Sequence, residues 1–306
     1  VTAEGTALYA RNPGGAPGNV LAILSKLGKQ TALISKVGND QFGRFLISTM
    51  KDIGVDTRGI VVTDEANTTL AFVHLDSSGD RSFSFYRKPG ADMLLCKEEI
   101  DLELINNCKI FHFGTVSMTR GPSRNATLHA VMKAKECKKI ISFDPNLRPP
   151  LWDDLNEAKL LMKTGLSYTD ILKVSNEELE FITRETDLEK GSGYIQDKYG
   201  TRLILVTLGA EGCYYRCGDL TGKLATYDVD TIDTTGAGDA FLGAMLYKVL
   251  NSDKPIELLD KDELESMVRF SNAAGSLTTT KKGAIPAMPS VREIETCISI
   301  GKLKKS

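Results

Sequence analysis

The sequence predicts an α/β protein: a central, mostly parallel sheet with helices on both faces, plus a small antiparallel β lid. Three features predict it. From Lys109 onward, apolar strands alternate with helical periods, the order that builds parallel sheets. Residues 203–207 are almost wholly apolar, as in a strand covered on both faces. Residues 60–88 break the pattern with alternating strands and a hairpin signal, which reads as an antiparallel insert.

The elements follow in order. The first thirteen residues are polar and contain glycine, and Pro13-Gly14-Gly15 introduces the first helix. From Pro17 a helical period places Val20, Leu21, Leu24 and Leu27 on one stripe, and Gly28 ends it. Residues 31–37 read as a strand. Residues 69–75 and 81–87 alternate and are joined by Ser77-Ser78-Gly79-Asp80, with Phe83 and Phe85 on one face. Strands are then expected at 110–113, 140–144, 171–174 and 203–207. Helices are expected at 125–136, 155–161, 177–182 and 193–199. A second small strand pair is expected at 213–217 and 224–229, then two long helices at 240–250 and 264–277. No repeat or flexible linker divides the chain, so residues 1–306 read as one α/β domain. Its lid is formed mainly by about 60–90, with part of 1–15 a candidate addition. Ligands of open α/β sheets sit beyond the carboxyl ends of the strands. Here those ends carry Asp144-Pro145-Asn146, Ser175 to Glu178, and Thr207-Leu208-Gly209.

Composition narrows the function. The 306 residues are 42% hydrophobic and 25% charged, with a net charge of −2, an ordinary globular balance. No basic field draws the chain to nucleic acid or an anionic membrane. No apolar run is long enough to span a bilayer, and the first residues lack a signal-peptide pattern. Cys96, Cys108, Cys137, Cys213, Cys217 and Cys297 match no zinc spacing and read as reduced thiols of a cytoplasmic protein. His74, His112 and His129 match no catalytic motif.

The chemistry concentrates in Asp233-Thr234-Thr235-Gly236-Ala237-Gly238-Asp239-Ala240-Phe241. Two glycines stand just before a helix that is apolar almost all round and must therefore be buried. Its free N–H groups point into the protein, and the glycines let a ligand approach the backbone closely. Gly236, Ala237 and Gly238 so form an anion hole suited to a phosphate whose charge grows in a transition state. Asp239, in the first turn, is placed as the base, and the helix dipole is expected to keep it ionised. Phosphoryl transfer tolerates so weak a base, because its transition state is loose. A bland reading has Asp239 as a cap above a tight turn, and for an isolated Gly-x-Gly-Asp that reading wins. Neither a P-loop nor a Gly-x-Gly-x-x-Gly dinucleotide fingerprint is present, the third position of the latter being Phe241.

The string Asp233 to Phe241 resembles the C-terminal signature of the ribokinase-like (PfkB) sugar kinases. Gly14-Gly15-Ala16-Pro17-Gly18-Asn19 resembles that family's other signature, followed by Lys36-Val37-Gly38-Asn39-Asp40. Within the family the chain looks most like the fructokinases. The supporting strings are Arg87-Lys88-Pro89-Gly90-Ala91-Asp92, Asp144-Pro145-Asn146-Leu147-Arg148, Val206 to Gly212, and Lys282-Gly283-Ala284-Ile285-Pro286. The resemblance runs in order from about Gly14 to Pro289. It implies a ribokinase-like fold and ATP-dependent phosphorylation of a sugar hydroxyl with Mg2+, fructose to fructose 6-phosphate first among the substrates. The alternative within the family is 2-keto-3-deoxygluconate or another sugar. Outside the class, the alternative is a non-catalytic sugar- or nucleotide-binding relative.

By that resemblance Gly14, Gly15 and Asn19 bind sugar hydroxyls, and bare backbone with a neutral amide suits a polyol. Arg87, at the lid's end, either closes over the sugar or is a solvated strand-end charge. Asn146 follows a strand end near the substrate, and Arg148 pairs with the transferred phosphoryl group, which its planar fork suits. Glu178 corresponds to the family's acidic residue linked to Mg2+ through water, although Ser175 stands where the motif has Asn. Thr207, Gly209 and Gly212 line the ATP site, with Asn272 and Gly275 near adenine and ribose. Asp233 and Thr235 match positions associated with a monovalent cation such as K+ in some relatives, and a turn-stabilising role suits them equally. Relatives often pair such lids into homodimers, and the insert offers a sheet edge and aromatics for that. The family also begins with a strand ending in a sugar-binding acidic residue. Val1-Thr2-Ala3-Glu4 reads as the loop after that strand, which is either absent or outside these residues. An enzyme without it would have lost a sheet strand and a substrate carboxylate.

Overall fold

In the computed structural model, which describes residues 9–75 and 81–304, Pro17 in the first turn and Gly15 at φ 119° launch α1 (Ala16–Lys26). The strand expected at 31–37 divides into β1 (Thr31–Ala32) and β2 (Ser35–Gly38). The Asp40 carboxylate accepts the Gly43 N–H at 2.7 Å and so caps α2 (Gln41–Asp52). β3 (Val55–Asp56) lies parallel to β1, and β4 (Ile60–Thr63) parallel to β2. The antiparallel reading of residues 60–88 therefore holds only for β5 (Leu70–Leu75) and β6 (Arg81–Tyr86), paired from Leu70 opposite Tyr86 to Leu75 opposite Arg81. Residues 60–63 alternate less than they look, being one short strand beside β2. The turn expected at Ser77–Asp80 and the loop expected at Val1–Glu4 lie outside the described residues.

The alternation then proceeds as α3 (Leu102–Asn107), β7 (Ile110–Phe113), α4 (Gly121–Glu136), β8 (Ile140–Phe143), α5 (Leu155–Leu166) and β9 (Ile171–Ser175). It continues through α6 (Asn176–Thr183), α7 (Leu188–Tyr199), β10 (Leu203–Thr207), β11 (Cys213–Cys217) and β12 (Leu220–Leu224). Three helices close the chain: α8 (Ala237–Asn251), α9 (Lys261–Thr278) and α10 (Val291–Ile300). Strands β7 to β10 are parallel, and β11 and β12 extend the same sheet antiparallel, in the order β12-β11-β10-β9-β8-β7. The pair expected to stand apart at 213–229 is thus an edge of the main sheet, and its second strand lies at Leu220–Leu224, before the expected 224–229.

The two faces of the sheet are read from alternate residues. In β9 and β10, Leu172, Val174, Ile204 and Val206 join a core built from α4 to α7, with Phe143 and Ile182. Ile171, Leu203 and Leu205 face a second core with Val20 of α1, Phe241 and Met245 of α8, and Met267 of α9. Burial on both faces explains the unbroken apolar run, each such side chain contributing about 1.5–3 kcal/mol. Helix α8 is apolar all round because it is sandwiched between α1 and α9. A Cβ at Gly243 would overlap Ile23 of α1, so the two helices approach closely there. One turn earlier on each helix stand Asn19 and Asp239, and that approach brings them together.

Candidate active site

Asp239 is buried in the first turn of α8, 9% exposed. Asn19 Nδ2 donates to its Oδ2 at 2.7 Å, across 220 residues of sequence. Asn19 Oδ1 is buried without a hydrogen-bond partner among the described residues, so the amide keeps an acceptor for a hydroxyl donor. Burial, and then the nearby Asp144, push Asp239 up from 3.8 to about 6, against the opposing pull of Asn19, Lys173 and Arg148. Burial thus opposes the helix dipole expected to keep the group ionised, although at neutral pH it stays largely ionised. A helix N-terminus is worth about 0.3–1 kcal/mol, whereas a shift of about two pH units is worth about 3 kcal/mol. Desolvation wins, and the carboxylate becomes a better base than a surface aspartate.

Gly236 caps α8 in the left-handed region at φ 80°. A Cβ there would lie 2.5 Å from Ala284 Cβ and 3.7 Å from Met288 Cε, so the loop rests on Ala284 and Met288, and only glycine fits. The Ala237 N–H is turned to Thr234 O at 3.2 Å, which leaves the first-turn N–H groups of Gly238 and Asp239 without an intrahelical carbonyl. Asp233 braces this loop: its Oδ1 accepts from Thr235 N at 2.8 Å and its Oδ2 from Gly283 N at 2.9 Å.

The strand ends meet this helix from the sheet side. Asp144 follows β8 and is 2% exposed; Lys173 of β9 is 8% exposed. Lys173 Nζ donates to Asp144 Oδ2 at 3.0 Å, while Asp144 Oδ1 is buried without a hydrogen-bond partner among the described residues. A Cβ at Gly238 would be 3.1 Å from Lys173 Nζ, so the ammonium sits directly beneath the glycine turn. Burial alone would lower Lys173, but Asp144, Glu178 and Asp239 together hold it well above the usual lysine range. Glu178, 8% exposed, forms a capping box with Ser175: its Oε2 accepts from Ser175 N at 2.9 Å and its Oε1 from Leu147 N at 2.6 Å. Burial and Asp144 raise it. A cleft of about 420 Å3 opens here, lined by Asn146, Arg148, Lys173, Ser175 and Glu178. Asn146 takes a positive φ of 49°, and Arg148 Nη1 donates to Leu147 O at 3.1 Å.

The remaining expected residues divide. Gly14 and Gly15 are exposed, and among the described residues nothing lies within 4 Å of an added Cβ. Arg87 is buried and no solvated strand-end charge. Its Nε donates to Asp92 Oδ2 at 2.8 Å, Nη1 to Thr119 Oγ1 at 2.7 Å and Nη2 to Val116 O at 2.9 Å, which ties β6 to the segment after β7. Thr207 Oγ1 donates to Val174 O at 3.3 Å, and Gly209 and Gly212 take positive φ in the turn after β10. Asn272 is buried, and its Nδ2 donates to Leu224 O and Ala225 O at 3.1 Å each, anchoring the chain that leaves β12. A Cβ at Gly275 would come within 3.2 Å of Ala237 O, so this glycine seats α9 against the start of α8. Lys173 and Asp144 received no role from sequence reasoning. The signal for Lys173 was a charge in the otherwise apolar run Ile171-Leu172-Lys173-Val174.

Comparison with known proteins places nearly the whole chain in one family. The family model described as pfkB family carbohydrate kinase matches residues 7–291. Fructokinase-1 of Zea mays is 43% identical over 286 residues, covering 94% of this chain and 88% of that one. The fructokinase of Xylella fastidiosa, solved with bound ATP, superposes with a TM-score of 0.88 at 34% identity, covering 96% of this chain and 93% of that one. The fructokinase of Vibrio cholerae O395, solved with fructose, ADP and calcium ion, does so with a TM-score of 0.87 at 33% identity, covering 95% and 92%.

Proposed function

The chain belongs to the pfkB family of carbohydrate kinases, and from that premise we propose that it transfers the γ-phosphoryl group of ATP to D-fructose, giving fructose 6-phosphate and ADP. The observation that carries the reading is Asp239: a buried carboxylate, raised to about 6, at the N-terminus of α8, hydrogen-bonded to Asn19. At neutral pH it is largely ionised and still basic enough to take the proton of the attacking hydroxyl late in a loose transition state. The open Asn19 Oδ1 accepts from a second sugar hydroxyl, and the exposed Gly14-Gly15 backbone offers N–H and C=O groups to the polyol. The N–H groups of Gly238 and Asp239, with Arg148, hold the charge of the transferred group. Thr207, Gly209, Gly212, Asn272 and Gly275 surround the nucleotide's side of the site, with Asn272 and Gly275 acting through the positions of β12 and α8. Arg87 supports the sugar pocket from the root of the lid.

Among the described residues no group of three acidic, histidine or cysteine side chains is arranged to hold a metal ion by itself. Glu178 and the open Asp144 Oδ1 would reach the waters of a Mg2+ held mainly by nucleotide phosphates. The metal, when bound, neutralises phosphate charge. Asp233 and Thr235 shape the loop that takes a K+ ion. No helix among the described residues is long and apolar enough to cross a membrane, and the six unpaired cysteines suit a reducing cytoplasm. Tyr9, Phe72 and Tyr86 form an edge-to-face aromatic row with centroids 5.3 Å apart at the β5–β6 lid, a surface suited to a homodimer.

A coupled ADP-release assay with ATP and Mg2+ tests the reading on fructose, glucose, ribose, 2-keto-3-deoxygluconate and adenosine, with Asp239→Asn as control. Turnover on fructose that is lost in the variant is the expected result. Turnover on another sugar replaces the substrate and keeps the chemistry. Turnover on none of them overturns the proposal in favour of a binding protein.

A further inference from the structure

Three carboxylates, Asp144, Glu178 and Asp239, are each less than a tenth exposed and share one site. Buried carboxylates stay ionised only beside a compensating charge. The cation buried among them is Lys173, reaching up from a strand whose Ile171, Leu172 and Val174 are core residues. Its ammonium is fixed at two points: Asp144 Oδ2 accepts from it at 3.0 Å, and the missing side chain of Gly238, beside Asp239, leaves it room.

We infer that Lys173 and Asp144 are a positioning pair for Asp239: Asp144 holds the Lys173 ammonium under the Gly238 turn, and that ammonium is the counter-charge that lets Asp239 take a proton from the substrate. The inference rests on the kinase reading for its purpose, though the electrostatics stand without it. Asp239 faces Asp144 and Arg148 from the segment after β8, Lys173 from β9 and the neutral Asn19 from α1; Glu178 of α6 acts on Lys173. Asp144 and Lys173 pull Asp239 in opposite directions. Asp144 repels negative charge there, and Lys173 attracts it. Removing either one therefore moves Asp239 in a direction that a merely structural role does not dictate. With Lys173 gone, Asp239 must lose its charge at a higher pH. With Asp144 gone, the repulsion disappears and the ammonium is released toward Asp239, so both consequences lower it.

The test is a titration of the Asp239 carboxyl carbon by NMR in protein labelled with [γ-13C]aspartate, the signal being identified by its loss in Asp239→Asn. Lys173→Met is expected to raise the midpoint by about one pH unit or more, and Asp144→Asn to lower it by a comparable amount. The double variant, which leaves neither half of the Lys173–Asp144 pair without its partner, is expected to fall between the single variants. The acid limb of kcat/KM for fructose, at saturating ATP and excess Mg2+, is expected to move in the same directions. Midpoints that stay put, or that move the same way in both single variants, overturn the inference. Opposed midpoint shifts in a protein without turnover on any sugar uphold the pair and overturn the kinase reading, so the two failures are distinct.

Discussion

Replacing Asp239 with asparagine should destroy turnover and stabilise the protein, and the stabilisation should depend on pH. The folded state holds the Asp239 proton up to about 6, whereas 3.8 is the ordinary value of the group. Between those values the folded protein binds more protons than the unfolded chain, so wild-type stability falls as pH rises through that window. Above it the loss is complete. The interval, at about 1.4 kcal/mol per pH unit, corresponds to about 3 kcal/mol at pH 8 and about half of that at pH 5. The substituted asparagine is neutral at both, and its side-chain oxygen still accepts from Asn19 Nδ2. It forfeits the attraction of a carboxylate to the helix N-terminus, about 0.3–1 kcal/mol. The net gain at pH 8 is therefore about 2 kcal/mol. At an unfolding entropy of about 2.1 cal/mol/K per residue, a chain of 306 residues should show Tm higher by about 3 °C.

The assay is differential scanning calorimetry of both proteins at pH 5 and pH 8, run beside the ADP-release assay. Turnover should fall by about 10²–10⁴, the contribution of a positioned general base. The Tm advantage should shrink between pH 8 and pH 5. A variant no more stable than wild type at pH 8, or one whose advantage is the same at both values, would refute the reasoning: burial would then not be what sets Asp239.

Three further outcomes follow from the same geometry. Gly236→Ala must hold alanine at φ 80° with its Cβ 2.5 Å from Ala284 Cβ; thermal denaturation should report a loss of about 2–4 kcal/mol, and a neutral result would mean the loop is not seated as described. Arg148→Ala should lower kcat about 10²–10³-fold with the fructose KM little changed, and Arg148→Lys should recover only part of it, since an ammonium lacks the planar fork; full recovery would reduce Arg148 to a diffuse charge. Glu178→Gln keeps an acceptor for only one of Ser175 N and Leu147 N, sets an amide NH2 against the other and loses the charge, so the Mg2+ concentration for half-maximal rate should rise about tenfold or more; an unchanged Mg2+ dependence would remove Glu178 from the metal's surroundings.

Much of this architecture was legible because its signals are local. The apolar run of β10 says that both faces are covered, and the all-apolar helix after the glycines says that α8 is buried. The failures have local causes as well. The strand expected at 224–229 instead spans Leu220–Leu224 and includes Gly222. In the folded chain it is a strand position kept bare because Tyr215 fills the space, its hydroxyl 2.6 Å from where a Cβ would stand. Asn272, expected near adenine and ribose, is buried and donates to two carbonyls at the end of β12, a contact that no periodicity in α9 announces because those carbonyls lie 47 and 48 residues away.

The electrostatics of the site were the least legible part, for a reason that separates two kinds of field. A helix dipole is a property of one segment and can be read from Gly236 to Leu250. The desolvation of Asp239, the repulsion from Asp144 and the relief from Lys173 arise only when β8, β9, α1 and α8 converge. The segment-level effect is about 0.3–1 kcal/mol, and the convergent one is about three times larger or more and opposite in sign. A reading confined to the segment therefore predicts an ordinary aspartate, firmly ionised and weakly basic. The folded protein carries a carboxylate still largely ionised at neutral pH, but one whose charge the surroundings resist. That resistance is what makes it useful, because a carboxylate that gains by accepting a proton is one that will take it from a hydroxyl at the moment the phosphoryl group arrives.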